Sequence, residues 1–228
     1  YTQTFENVTA PLLPVDWTST SSINAFWVST TNQPDAGTNA VFGPDTNIIS
    51  SSDLVSPVIS LPAGQSRLCF RHRYSFERDP AILTNGYDGG VVEIKIGTNA
   101  FADIITAGGA FVTSNGYNTK IDSRFDNPLT NRFAWSGTNN NYSNVVISLP
   151  LAAAGTNIQL RWRIGTDNAN SGGGWRVDNI GISSPLCCVH VPPVLTTQTN
   201  RTIDELTALV VTNSATDASS APGALNYS

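Results

Sequence analysis

Gly174-Trp175-Arg176-Val177-Asp178-Asn179-Ile180-Gly181-Ile182 is the stretch on which the reading turns. Trp175 and Val177 alternate with polar neighbours in one phase. Ile180 and Ile182 alternate in the opposite phase. Apolar residues spaced by two mark a strand with one buried face. A change of phase inside one strand marks an extra residue, a β-bulge at Asp178-Asn179. Bulges re-aim side chains and tend to lie beside sites. Asp178 is therefore a candidate ligand as well as a strand residue.

The same period of two recurs outward along the chain. Leu68, Phe70, His72, Tyr74 and Phe76 share one face, opposite Arg67, Cys69, Arg71, Arg73 and Glu77. Val92, Ile94 and Ile96 alternate with Glu93 and Lys95, and Ile158, Leu160, Trp162 and Ile164 with Gln159, Arg161 and Arg163. Further strands are expected at Thr4–Val8, Ala25–Ser29, Leu54–Leu61, Ala102–Ile105, Arg132–Trp135 and Asn144–Leu149. Asn85-Gly86, Gly89-Gly90, Gly108-Gly109, Asn115-Gly116 and Gly172-Gly173-Gly174 punctuate them as turns. No segment has a helical period. Many short strands joined by polar turns imply an all-β fold, a jelly-roll β-sandwich.

Composition narrows the function. The chain has 228 residues, 40% hydrophobic and 13% charged, enough for one sizeable domain and a further piece. A net charge of -5 argues against nucleic acid as a partner. No apolar run reaches the roughly 20 residues of a membrane span. With no start Met or leader, Tyr1 reads as a processed or excised end. The three cysteines, Cys69, Cys187 and Cys188, form neither a disulfide scaffold nor a zinc spacing. A long-range bond from Cys69 to one of the pair is one reading. The other is a small buried residue.

In a jelly roll the first and last strands of a domain often lie side by side. That would bring Phe5-Glu6-Asn7 to Asp178, and two carboxylates so placed call for a hard cation with oxygen ligands. The plain alternative is a strand-end Asp and a solvated Glu. Glu77, Asp79, Asp88 and Glu93 form the densest acidic group. A strand ending at Glu77 and a hairpin entering at Asp88 could close around an oxygen-lined cavity, with Gly89-Gly90 freeing the backbone. The alternative there is a polar loop with solvated acids.

Phe5-Glu6, Tyr74-Ser75-Phe76-Glu77, Tyr87-Asp88-Gly89-Gly90-Val91-Val92-Glu93, Leu160-Arg161-Trp162-Arg163-Ile164-Gly165-Thr166-Asp167 and Gly174-Trp175-Arg176-Val177-Asp178-Asn179-Ile180 follow one another in order. In this the span Phe5–Ile182 resembles the MAM-like jelly-roll modules of secreted bacterial proteins, such as those appended to immune-inhibitor-A-type metallopeptidases. The resemblance implies a non-catalytic module, secreted or at the cell surface, with structural calcium. The metal ligands expected are Glu6, Asn7, Glu77, Asp88, Glu93 and Asp178. Many relatives carry an Asp-Gly-Gly turn after the Glu, whereas this chain has Gly97-Thr98-Asn99.

The domain is expected over residues 1–184, a proline-marked linker over 185–193, and a partial second β-sandwich over 194–228. Glu205, Ala215-Thr216-Asp217 and Leu225-Asn226-Tyr227-Ser228 make that tail resemble the start of a cadherin-like or immunoglobulin-like repeat. About 35 residues cannot bury a core alone, so self-association through the tail is a possible use of it.

Three other constellations bear on function. Arg71, Arg73, Arg161 and Arg163 would form a stripe if their strands were neighbours, binding an anionic glycan or pairing with Glu77, Glu93 and Asp167. Trp162 and Trp175 fall on the inward phase. Trp135 and Tyr142 flank the loop 137–141 and are the candidate exposed pair for sugar stacking. His72 lies on an apolar face and His190 in the linker, and no Gly-x-Ser-x-Gly, His-Glu-x-x-His or phosphate loop is present. The expected function is therefore adhesion, spacing or targeting, with other extracellular domains or cell-surface glycans as partners. The alternatives are a carbohydrate-binding module and a self-assembling filament subunit.

Overall fold

The computed structural model describes residues 1–183, together with the backbone of Val194–Leu195 and Ala215–Thr216. The strands, in chain order, open with β1 (Thr2–Gln3), β2 (Thr18–Ser21), β3 (Val28–Thr30), β4 (Ala40–Gly43), β5 (Ser50–Val55) and β6 (Ile59–Ser60). Then come β7 (Arg67–Ser75), β8 (Asn85–Gly86), β9 (Gly89–Ile96), β10 (Ala102–Asp103) and β11 (Ala110–Phe111). The set closes with β12 (Thr119–Ile121), β13 (Phe133–Ala134), β14 (Thr138–Ser148), β15 (Asn157–Thr166) and β16 (Gly174–Ser183).

One sheet runs β11-β14-β7-β16-β4-β3, with β1 also on β16. The second runs β10-β9-β15-β5-β2, with β6 also on β15. Their inward faces meet in one core that takes Phe70, Val145 and Trp175 from the first sheet and Leu54, Ile94, Leu160 and Trp162 from the second. The molecule is an all-β sandwich, and the alternation read from the sequence is the cause. On β7 and β15 the apolar phase is the buried phase. The first and last strands pair, Thr2 opposite Gly181 and Gln3 opposite Ile180.

The bulge is where the phase change placed it. Asp178 sits opposite Arg71 and Gly181 opposite Cys69, so three steps on β16 face two on β7. Asn179 takes φ 50° to accommodate the extra residue.

Some elements differ from expectation. The stretch Thr4–Val8 is a bend, not a strand. Phe5 takes φ 61°, its amide is held by the Gln3 side chain at 2.6 Å, and its ring enters the core against Trp17. The run Leu54–Leu61 is divided between β5 and β6. The strand β9 is buried on both faces. A small sheet, β13-β12-β8, covers its outer side and packs Ile121, Leu129 and Ala134 on Val91. Gly90 of this strand cannot bear a side chain, because a Cβ there would stand 2.5 Å from the Trp175 ring.

Cys69 is disulfide-bonded, which corrects its reading as merely a small buried residue. Cys187, Cys188, the linker expected over 185–193 and the self-association expected of the tail lie outside the described residues. The chain divides into compact units at Tyr1–Pro185 and Leu186–Ser228. In the second, Val194–Leu195 pairs antiparallel with Ala215–Thr216. Among the described residues, no helix is long and apolar enough to cross a membrane.

Candidate metal centre

Antiparallel pairing brings four strand ends together. Gly165 near the end of β15 lies opposite Gly89 at the start of β9, so Asp167 and Asp88 emerge beside each other. Ser75 at the end of β7 lies opposite Gly174, and Trp175 lies opposite Gly43 at the end of β4. Glu77 and Asp45 therefore leave their strands at this same end of the sandwich.

Ligand oxygens of Glu77, Asp88 and Asp167 all fall within 4.8 Å of one another. Calcium–oxygen distances are about 2.4 Å, so oxygens on opposite sides of one ion stand about 4.8 Å apart. The three carboxylates fit around a single calcium-sized ion. Asp88 is 0% exposed; its Oδ1 accepts the Asp167 amide at 2.6 Å, no donor group of the chain reaches its Oδ2, and its carboxyl lies within hydrogen-bond reach of the Asp45 carboxyl. Glu77 Oε1 accepts from Asn170 at 2.9 Å, and its Oε2 is buried without a partner. Asp45 repeats the pattern. Its Oδ2 accepts the Gly172 amide at 2.7 Å, while its buried Oδ1 has none.

The electrostatics agree with the geometry. Burial, then the charge of Asp45, push Asp88 up to about 9. Burial pushes Asp45 up to about 6. Buried acids facing one another avoid ionisation unless a cation compensates them. A hard cation would turn the orphaned oxygens into ligands, and the donor set is all oxygen, as calcium requires. Such an ion would tie together the loops leaving β4, β7 and β15 and the hairpin entering β9.

Of the residues expected to bind metal, Glu77 and Asp88 are brought together here, and Asp45 and Asp167 join them. Sequence reasoning cast Asp167 as an arginine partner and passed over Asp45. Each is an acid within two residues of a strand end, a signal too common to single them out. Glu93 is a correction. It points from β9 to the opposite side and pairs with Arg132 (2.6 Å) and with Arg161, a partner directly across on β15.

Glu6 and Asp178 are served by one loop rather than shown around an ion. Asp178 Oδ2 accepts the amides of Asp35 (3.0 Å) and Ala36 (3.4 Å), and its Oδ1 accepts that of Asn179. Glu6 accepts the amides of Thr38 (3.0 Å) and Asn39 (2.9 Å). Gly37 lies between with φ 66°, and a Cβ there would stand 2.6 Å from the Glu6 carboxylate. The two acids share no donor; the amides of Asp35 and Ala36 serve Asp178, and those of Thr38 and Asn39, on the far side of Gly37, serve Glu6. Asn7 is exposed in the turn that follows β1.

The arginine stripe does not form, because β7 and β15 belong to different sheets. Arg161 and Arg163 pair with Asp53 at 3.2 and 3.7 Å, and Arg71 grips Asp35 through two bonds of 2.9 and 3.0 Å. Arg73 has no ion pair among the described residues. The stacking pair is a second correction. All five tryptophans are 6% exposed or less. Trp135 packs on Tyr117 (4.7 Å) and His72 (4.9 Å), and Tyr142 is half-buried with its hydroxyl donating to the Gln33 carbonyl. His72 itself is core. Its Nδ1 accepts from Trp175 Nε1 at 3.2 Å, which requires the neutral ring.

No protein-family model and no curated protein matches this sequence. Among solved structures, the chain is similar to TmCBM61 in complex with β-1,4-galactotriose, at 12% identity over 75% of this chain and 90% of that one, TM-score 0.45. It is similar to the K1 cleaved adhesin domain of Lys-gingipain from Porphyromonas gingivalis W83, at 15% identity over 81% and 98%, TM-score 0.41. It is also similar to the C-terminal family 22 carbohydrate-binding module of Clostridium thermocellum Xyn10B, at 11% identity over 79% and 90%, TM-score 0.40. Likenesses this distant concern the β-sandwich alone and carry no activity to this chain.

Proposed function

We propose that this chain is a non-catalytic, calcium-stabilised binding module of the MAM-like kind, serving adhesion, spacing or targeting in a secreted or cell-surface protein. The observation that supports it is Asp88: fully buried, with an orphaned oxygen among Glu77, Asp167 and Asp45. Calcium would hold the loops at that end of the sandwich, with Asp45, Glu77, Asp88 and Asp167 as its protein ligands. Its partners would be other extracellular domains or cell-surface glycans. A ligand that binds only the folded state stabilises by about 2.7 kcal/mol at a hundredfold excess over its dissociation constant. The melting temperature should fall in chelator, return with calcium, and become indifferent to both in Asp88→Asn. A melt unmoved by chelator, with no calcium uptake by calorimetry, would refute the reading. A second reading, carbohydrate binding, is supported by a polar groove over β7 and β16.

A further inference from the structure

Arg176 and Arg73 are direct partners across β16 and β7. Like charges directly opposite in an antiparallel pair repel and destabilise. Elsewhere in this molecule, neighbouring arginines are compensated by acids, as Arg161 and Arg163 are by Asp53. Here no carboxylate among the described residues takes either guanidinium. The nearby acid, Asp35, is gripped by Arg71. Arg176 donates to the carbonyls of Asn32 (3.0 Å) and Gly173 (3.3 Å) and lies over the Phe42 ring at 4.6 Å. Burial and the charge of Arg73 hold Arg176 below the ordinary arginine range, against the opposing pull of Tyr142.

The two guanidiniums border a groove of about 280 Å³, lined also by Gln33, Tyr74, Ser75 and Asn140. That is room for one sugar-sized group, close to the lower end of small-molecule sites, about 300 Å³. Amide and hydroxyl side chains suit sugar hydroxyls. The backbones of β7 and β16 are hydrogen-bonded on both sides, so the groove offers no sheet edge for a peptide strand to join.

We propose that Arg73 and Arg176 together bind the acid group of an anionic sugar, a uronate carboxylate or a sulfate ester, in the groove over β7 and β16. Both arginines line the groove; the Arg176 guanidinium, fixed by two carbonyls and the Phe42 ring, keeps one amino group uncommitted, and the Arg73 guanidinium has the planar fork that matches the paired oxygens of either group. The bound anion supplies the counter-charge that the chain itself withholds from this row. This rests on the reading of the chain as a binding module and is independent of its cation.

Calorimetry on the full chain tests it with four probes: a hyaluronan hexasaccharide, its carboxyl-reduced neutral counterpart, a heparin hexasaccharide and hexaglutamate. At least one of the two acidic sugars should bind at least tenfold tighter than the neutral one; hyaluronan carries carboxylates only and heparin sulfates as well, so binding of hyaluronan marks a carboxylate site and binding of heparin alone a sulfate site. Arg73→Gln and Arg176→Gln should each lose at least tenfold, and Arg163→Gln on the other sheet should lose nothing. Arg73→Lys keeps the charge without the fork and should also weaken binding in a protein that melts normally. Neutral sugar binding as tightly, affinity untouched in both glutamine variants, hexaglutamate matching the sugars, or no binding by either acidic sugar would each overturn the proposal. Melts of the same samples with and without chelator report on the calcium reading separately.

Discussion

Two groups of buried acids in this domain are treated in opposite ways. On the outer face of the second sheet, Glu93, Asp53 and Asp103 meet Arg161, Arg163 and Arg132, so that every acid has a guanidinium from the same chain. At the end of the sandwich, Asp45, Glu77, Asp88 and Asp167 gather with no arginine or lysine paired to them among the described residues, and three of their oxygens have no partner. The first group is complete as folded. The second has no counter-charge from the chain, and its buried carboxyls Asp45 and Asp88 are pushed toward the protonated form. Density of acid is common to both. What separates them is whether cross-strand neighbours supply the opposite charge.

That contrast can be broken most forcefully at Glu93. Glu93→Gln would remove the buried acid that joins Arg132 and Arg161, leaving them with Asp103 and Asp53 alone, at a cost of about 3 kcal/mol. Urea unfolding should show that loss equally with calcium and with chelator. An equal loss under both conditions assigns Glu93 to the closed network, whereas a loss seen only with calcium would move it to the metal.

Glu77→Gln is the mirror experiment. It should forfeit most of the roughly 2.7 kcal/mol that saturating calcium contributes, yet change little in chelator. A comparable loss in chelator would mean that the cluster is held by its hydrogen bonds and not by a cation.

Acid sharpens the comparison through the core between the two groups. Burial, then the charge of Arg71, hold His72 down to about 3 in the fold, while an unfolded histidine titrates near 6.5. The neutral ring therefore contributes stability that is complete above pH 6.5 and drains away as the pH falls toward 3. That share, read as the difference between the wild type and His72→Phe, should be about 2 kcal/mol between pH 7 and pH 5. With both proteins in chelator, the contributions of Asp45, Asp88 and Asp178, whose raised carboxyls take up protons and gain stability over the same range, cancel in the difference. Identical pH dependence in the two proteins would point to another group.

The smallest effect is expected at Arg73. Removing one member of a repelling cross-strand pair should leave stability unchanged or raise it by a few tenths of a kcal/mol. A clear loss of stability in Arg73→Gln would show a partner on β7 that the sheet's inner logic does not require.

Much of the fold was legible because strand periodicity is local. Leu68, Phe70, His72 and Tyr74 face inward, as their spacing by two requires. The change of phase at Asp178 marked a bulge, and the register shows the added residue. Glu77 and Asp88 were legible as a pair because one hairpin joins them in sequence. Trp135 misled because it stands next to a polar loop, while its ring turns inward to Tyr117, His72 and Trp175.

The sequence by itself determined the all-β class, the faces of the long strands and the place where the last strand breaks step. Only the tertiary structure decided which charges meet. Glu93 finds Arg161 because β9 and β15 are neighbours in one sheet. Arg73 finds Arg176, and no acid, because β7 and β16 are neighbours in the other. Asp45 and Asp167, 122 residues apart in numbering, both arrive beside Asp88 because the ends of β4 and β15 fall at the same end of the sandwich. A side chain's face follows from its own few neighbours in the chain. Its partner follows from strand order, which is settled by packing two sheets over a common core.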